Sequence, residues 1–202
     1  MAEPAPIRLE RTEAREPDAE LIRGLREGSP EAYAVLRRRL GPALYRYAAV
    51  RLLGDAQAAE DLTVRALADA VMNIGGYDAK RASLSSWMYG IMRRQIQREL
   101  ARRRRRKTIP LWAQVSLEAA AESTAGGDVA AESAQRIDAQ RQVAALARVL
   151  SALEFEVLVL SCAEGLSAPE IARLVGRSQR AIHSLLHRAK QKARNRLIED
   201  ER

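Results

Sequence analysis

Apolar residues recur along this chain at three- and four-residue spacing. No segment alternates β-branched and polar residues with the period of two that a half-buried strand requires. Alanine, leucine, arginine and glutamate, all good helix formers, dominate. The chain is therefore expected to be all-α. Ser29-Pro30-Glu31 supplies an N-cap and a first-turn proline, and Leu36, Leu40, Leu44, Tyr47 and Ala48 follow at helical spacing. Gly54-Asp55 punctuates the chain. Leu62, Ala66, Leu67, Ala70, Val71 and Ile74 form the next stripe, ended by Gly75-Gly76. Ser83 or Ser85 caps a long helix carrying Leu84, Trp87, Met88, Ile91, Met92, Ile96 and Leu100. Residues 18–107 thus read as a bundle of about four helices with its own core.

Charge divides the chain. The formal net charge is +8, but it is unevenly placed. Acids and bases roughly cancel from Met1 to Glu27, and residues 1–17 are expected to be a disordered N-terminal segment. Arg93, Arg94, Arg98 and the run Arg102 to Lys107 face Glu99 alone. Thr108 to Gln135 has no base, only Glu118, Glu122, Asp128 and Glu132 in an Ala/Ser/Gly-rich stretch. Residues 108–138 therefore read as a flexible acidic linker. A second basic block, Arg177, Arg180, Arg188, Lys190, Lys192, Arg194 and Arg196, contains no acid. Such a balance points to a polyanion, and nucleic acid is the usual one.

Several function classes fall away. One cysteine, Cys162, excludes an internal disulfide framework and a cysteine-rich zinc site, and suits a reducing compartment. It follows an apolar run and is expected to fill the core. No apolar run reaches the roughly 18 residues needed to cross a bilayer, and the charged N-terminus lacks a signal-type apolar stretch. The protein is expected to be soluble and cytoplasmic, without membrane insertion. No Ser/His/Asp, Cys/His or paired-carboxylate constellation appears, so no catalytic residue, cofactor or enzyme activity is expected. His183 and His187 stand at i, i+4 without an acid or cysteine beside them and are not expected to hold a metal.

The second module, residues 139–198, is organised by its turns. Val143, Leu146, Val149, Leu150 and Leu153 lead into the apolar run Val157 to Leu160, and Gly165 breaks the chain. Ser167-Ala-Pro-Glu170 is a capping-box pattern; Ile171, Ala172, Leu174 and Val175 follow. Gly176 turns the chain and Ser178 caps a helix bearing Ile182, Leu185, Leu186, Ala189 and Ala193. Helix, glycine turn and basic helix form a helix-turn-helix pattern. Arg180, Ser184, His187, Arg188 and Gln191 fall on the face opposite the apolar stripe. That face suits a major groove, with Lys190, Lys192 and Arg194 meeting phosphates. The competing reading is a solvated basic face on a bundle helix.

Leu150 to Leu197 resembles region 4 of the sigma-70 superfamily, most closely at Glu156-Val-Leu-Val-Leu160, Glu164-Gly-Leu-Ser167, Glu170-Ile-Ala172, Leu174-Val-Gly176 and Leu186-His-Arg-Ala189. Asp55 to Arg106 resembles region 2, through Ala59-Glu-Asp-Leu62, Tyr77-Asp78, Trp87-Met-Tyr89, Ile91 and the closing arginines. Two modules without a region 3 domain resemble the extracytoplasmic-function group of alternative sigma factors. The resemblance implies that region 2 docks on the clamp of RNA polymerase core enzyme and opens the −10 element of promoter DNA, while region 4 binds the flap and the −35 element. It implies core-polymerase contacts at Glu60, Asp61, Leu62, Val64 and Arg65. It implies −10 contacts at Tyr77, Lys80, Arg81, Arg93, Arg94, Arg98, Arg102 and Arg103. For the −35 element it implies Arg177, Ser178, Arg180, His183, Ser184, His187, Arg188, Lys190, Gln191 and Lys192. An anti-sigma factor is a further partner class. The alternative is a helix-turn-helix regulator that is not an initiation factor.

Linker length fits two separated elements. Elements about two and a half helical turns apart lie roughly 85 Å from each other. A linker of about 30 residues relaxes to roughly 30 Å and extends to about 100 Å. The polymerase must therefore hold the modules apart. The linker either threads a basic channel of that enzyme or is a solvating spacer.

The sequence also departs from the family pattern. Ala58 stands where an acid is common, Val64 where Gln is usual, and Arg65 where Glu is usual. Losing one partner of a buried interfacial charge pair costs about 2–5 kcal/mol, and a like charge should cost more. Thr63, in the middle of this patch, is expected to be a phosphoswitch for a Ser/Thr protein kinase, since a phosphate adds about −1.5 to −2 charges. The competing reading is an ordinary helix-surface threonine. Leu84 replaces an aromatic, Arg94 and Arg98 replace Asn and Asp, and Ala181, His183 and Leu185 replace Thr, Lys and Arg. Trp87 reads as a core anchor, and Tyr77 as the better candidate for an exposed stacking residue. The Arg102–Lys107 run tracks phosphates or is a solvated helix end aided by the helix dipole.

Overall fold

The computed structural model describes residues 16–105 and 141–200, and among these every regular element is helical. Most of the expected disordered segment and the acidic linker lie outside the described residues. The helix α1 (Glu16–Arg26) already begins within the last two residues assigned to that segment.

Local capping chemistry sets the element boundaries. Helix α2 (Pro30–Arg51) starts where the Ser29 hydroxyl accepts the Ala32 N–H at 3.2 Å, with proline at the first helical turn. It runs through Pro42 and ends in a turn where Leu53 and Gly54 both take positive φ. Asp55 then caps α3 (Ala56–Met72), its carboxylate accepting the Ala58 N–H at 3.0 Å. A 3₁₀ turn over Ile74–Gly76 follows. Ser83, not Ser85, opens α4 (Leu84–Arg105) by accepting the Ser86 N–H.

The first four helices close on Leu36, Leu44, Tyr47, Leu62, Leu67, Leu84, Met88, Met92 and Ile96, all buried. Residue Asp55 also accepts a hydrogen bond from Arg103 at 2.7 Å, so one side chain starts α3 and anchors the far end of α4.

In the second module a helix over 141–149, here α5, leads to α6 (Ala152–Cys162), α7 (Ala168–Val175) and α8 (Gln179–Asp200). Ser151 and Glu154 form a reciprocal capping box at the start of α6. Gly176 ends α7 in the left-handed region at φ 67°, a conformation that costs a Cβ-bearing residue, and the chain turns directly into α8. Phe155, Val157, Leu160, Ile171, Ile182 and Ala189 form this module's share of the core.

The two modules touch. Helix α6 packs on α2, and α7 packs on α4, so the buried apolar residues form one continuous cluster. No described helix is long and apolar enough to cross a membrane.

Candidate nucleic-acid interface

Helix α3 presents Glu60, Asp61, Val64 and Arg65 to solvent on one face. Val64 and Met72 are large apolar side chains left exposed there. Leu62 points the other way and anchors the helix in the core. Thr63 also departs from expectation. It is 8% exposed, and its hydroxyl donates to the Ala59 carbonyl at 2.7 Å. The 3.6-residue period sends 62, 63, 66 and 67 inward and 60, 61, 64 and 65 outward, so the centre of the surface patch is Val64 and not Thr63.

The loop before α4 carries Lys80 and Arg81, both exposed. Tyr77 is not the exposed stacking residue that was expected. It is 5% exposed, its ring lies 5.2 Å from that of Trp87, and its hydroxyl donates to the Ala82 carbonyl at 2.9 Å. Trp87 is half-buried against it and lines a surface cleft with Asp69, Asn73 and Arg94.

The α4 arginines separate into two sets. Arg94 and Arg98 are exposed, and no ion-pair partner is found for either among the described residues. Arg102 and Arg103 converge on Glu99 at 2.7 and 2.6 Å. The hydrogen bonds from Arg102, with those of Arg103, hold the Glu99 carboxyl down at about 2. The start of the arginine run thus neutralises its one acid. Arg104 and Arg105 are exposed, while Arg106 and Lys107 lie outside the described residues.

Helix α8 behaves as the sequence pattern predicts. Ile182, Leu185 and Ala189 are buried, and Arg177, Ser178, Arg180, His183, Ser184, His187, Arg188, Lys190, Gln191 and Lys192 are exposed along its start and outer faces. Ser178 caps the helix by accepting the Ala181 N–H at 3.2 Å. Two of these residues serve a second purpose. Lys192 donates to Glu154 at 2.9 and 3.1 Å, and Arg188 approaches the same carboxylate at 3.7 Å. Lys192, with the Ser151 N–H, holds the Glu154 carboxyl down at about 2.

A group of polar residues that the sequence pattern does not bring together lies between the modules. Glu156 of α6 is 4% exposed. It accepts from Arg93 at 2.8 Å and from the Tyr47 hydroxyl at 3.2 Å, and Arg51 stands 4.0 Å away. Arg51 also donates to the Ala152 carbonyl and lies over the Phe155 ring. Glu164 accepts from the Tyr89 hydroxyl at 2.5 Å, with Arg46 at 3.6 Å. Burial pushes both tyrosine hydroxyls far above their ordinary range, with the facing carboxylates adding to it. Glu170 accepts from Ser86 at 2.9 Å and from Ser83 at 3.3 Å. Burial alone would raise its carboxyl, but hydrogen bonds from Ser167, Ser86 and Ser83 outweigh it and hold the group below its ordinary range. The one hint in the sequence was an acid, Glu156, inside the apolar run from Phe155 to Leu160. Cys162, expected in the core, is exposed at the end of α6.

Comparison with known proteins places both modules. Residues 36–106 match the model of sigma-70 region 2, and residues 140–192 match that of sigma-70, region 4, together more than half of the chain. No curated protein sequence matches. The chain is similar to the solved structure of CnrH in complex with the cytosolic domain of CnrY, with 22% identity, TM-score 0.67, and coverage of 91% of this chain and 98% of that one. It is also similar to the sigma factor RpoE in complex with the anti-sigma factor NepR from Bartonella quintana, with 25% identity, TM-score 0.61, and coverage of 82% and 96%.

Proposed function

The chain belongs to the sigma-70 superfamily, in its extracytoplasmic-function group, and on that premise we propose that it is an alternative sigma factor directing RNA polymerase core to a set of promoters in the cytoplasm. The region 2 module, α1 to α4, reads and opens the −10 element. The region 4 module reads the −35 element through α8. The protein performs no bond chemistry itself. The observation that carries this reading is the pairing of two modules in family order with a helix-turn-helix whose exposed outer face carries Arg177, Arg180, Arg188, Lys190 and Lys192 and no acid. Lys80, Arg81, Arg94 and Arg98 are the α4-side groups available to a strand, and Val64 with Glu60 and Asp61 forms the α3 face offered to the polymerase clamp. An anti-sigma factor is a fitting partner, since a similar sigma factor is solved with one. Run-off transcription with purified core tests the reading. Promoter-specific transcripts that depend on this chain support it; site-specific DNA binding without any such transcript points to a regulator instead.

The finer proposal concerns activation. Arg65 puts a base on the α3 face where an acid is usual, so the unmodified chain holds core weakly. Phosphorylation of Thr63 by a Ser/Thr kinase returns about −1.5 to −2 charges there. Because the folded helix turns Thr63 inward, the kinase must act on a locally opened α3, and the modified side chain must then remain outside. Core binding of Thr63→Ala before and after kinase treatment, beside the native chain treated alike, decides this. If the native chain gains no affinity from the kinase, Thr63 is not a switch.

A further inference from the structure

Three arginines from three elements border one cleft. Arg81 comes from the loop before α4, Arg94 from α4 and Arg173 from α7. All three are exposed, and no ion-pair partner is found for any of them among the described residues. Arg93 lines the same cleft but is taken by Glu156 at 2.8 Å. The acid on the cleft wall, Glu170, is already bonded by Ser83, Ser86 and the Ser167 N–H. Three cations thus face one carboxylate whose oxygens are occupied, and gathering like charges costs energy unless an anion joins them. Trp87 also lines the cleft. It packs on Tyr77 at 5.2 Å with its ring tilted by 56°, and is only half-buried, so part of the indole is open to solvent. We propose that this cleft binds a nucleoside polyphosphate, with the phosphates on Arg81, Arg94 and Arg173 and the base against Trp87.

Size and chemistry agree with that class of ligand. The cleft holds about 380 Å³, within the roughly 300–1,000 Å³ of small-molecule sites. Trp87 and Arg94 also border a second space of about 380 Å³ beside Asn73 and Gly76, so the room continues past them. Guanidinium groups bond phosphate oxygens in pairs, and any base can stack on an aromatic ring. Gly90 keeps the space between the walls. A Cβ there would lie 3.4 Å from the Leu174 side chain and 4.0 Å from Arg94 Nη1. The full set of arginines favours a small ligand over the promoter strand. Arg173 belongs to the second module, and modules seated on elements roughly 85 Å apart cannot bring Arg94 and Arg173 to one phosphate chain. The site rests on the cleft. Its consequence rests on the sigma-factor reading: a nucleotide that holds Arg94 withdraws it from the −10 strand.

The full chain tests this. Its two tryptophans are Trp87 and Trp112, so Trp112→Phe leaves Trp87 as the only indole reporter. ADP titrated into that chain is expected to change Trp87 emission saturably, with Kd below about 1 mM. Arg173→Ala, an exposed substitution checked by circular dichroism, is expected to weaken ADP at least about tenfold. Arg177→Ala, one turn further on and outside the cleft, is expected to leave ADP binding unchanged. Inorganic pyrophosphate is expected to compete with ADP but to bind at least about tenfold more weakly, and adenosine not to compete. A Kd for ADP above about 1 mM overturns the proposal. So does equal weakening by the two arginine variants, which marks diffuse charge, or pyrophosphate binding as tightly as ADP, which marks an adventitious ion only. If a single-stranded DNA decamer changes Trp87 emission and ADP does not, the cleft serves the strand alone and the proposal falls. The titration contains no polymerase and no promoter, so it stands or falls apart from the run-off test of the sigma-factor reading.

Discussion

The Thr63 hydroxyl donates to the Ala59 carbonyl inside the bundle, and this decides what substitution there does. That carbonyl already accepts the helical N–H bond, so Thr63→Val leaves no orphaned group and costs about 1 kcal/mol or less in a urea melt. Thr63→Glu instead buries a carboxylate with no cation provided for it, and is expected to lower the melting temperature rather than mimic a phosphate. A Glu variant as stable as the parent shows that the side chain turns outward. Glu99 and Glu154 give a second residue-scale test. Both carboxyls are held at about 2 in the folded chain, below the ordinary 4.5. Their contribution is therefore complete above pH 4.5 and is lost as pH falls from there toward 2. Glu154→Gln is expected to flatten the fall of the denaturation midpoint in that window, and to leave its slope above pH 5 unchanged. Individual side chains were the least legible part of the sequence. Tyr77, Thr63 and Cys162 were each assigned to the wrong side of the surface. Which side a borderline residue takes depends on what packs over it, and for Tyr77 the deciding neighbour is Trp87, ten residues on.

Whole elements were far more legible, because caps and turns are written within four residues. Ser29, Asp55, Ser83 and Ser178 each start a helix by accepting a backbone N–H, and Gly176 makes its left-handed turn. Gly176→Ala is expected to cost about 1 kcal/mol, read as a lower thermal midpoint, because the Cβ resists φ 67°. The outer face of α8 was legible for the same reason, since one apolar stripe fixes the opposite side. What the stripe did not reveal is the double use of Lys192. Lys190 is exposed and has no ion-pair partner among the described residues, while Lys192 bonds Glu154 across to α6. On promoter DNA, Lys190→Ala is expected to reduce the log-log salt slope by about 0.9 with an unchanged melting temperature. Lys192→Ala is expected to lower the melting temperature as well, because it frees a carboxylate held at about 2. Equal melting temperatures for the two variants would remove the Glu154 contact as a structural bond.

At the scale of the molecule, two helical modules and their order were visible in the charge pattern, but their docking was not. Contacts between modules join residues such as Tyr47 and Glu156, 109 positions apart, and no local pattern encodes such a pairing. Only an acid inside an apolar run signalled that α6 needed a polar partner. The docking also has a thermodynamic consequence. A unit of about 60 residues buries too little surface to be more than marginally stable alone. The region 4 module is close to that size, and it shares one continuous buried cluster with region 2. Its stability in the folded chain therefore includes the interface with α2 and α4. Calorimetry of the full chain is expected to show one cooperative transition. A Cβ at Gly90 would already lie 3.4 Å from the Leu174 side chain, so the larger side chain of Gly90→Leu is expected to loosen the seam and split the trace, with region 4 melting first and region 2 near the parent temperature. If the parent chain itself melts in two well-separated steps, the modules do not stabilise each other and the shared core contributes nothing to either. A single transition in the parent that splits in the variant makes the coupling between modules a measured free energy, and it sets the cost that polymerase and promoter must meet to hold the two regions apart.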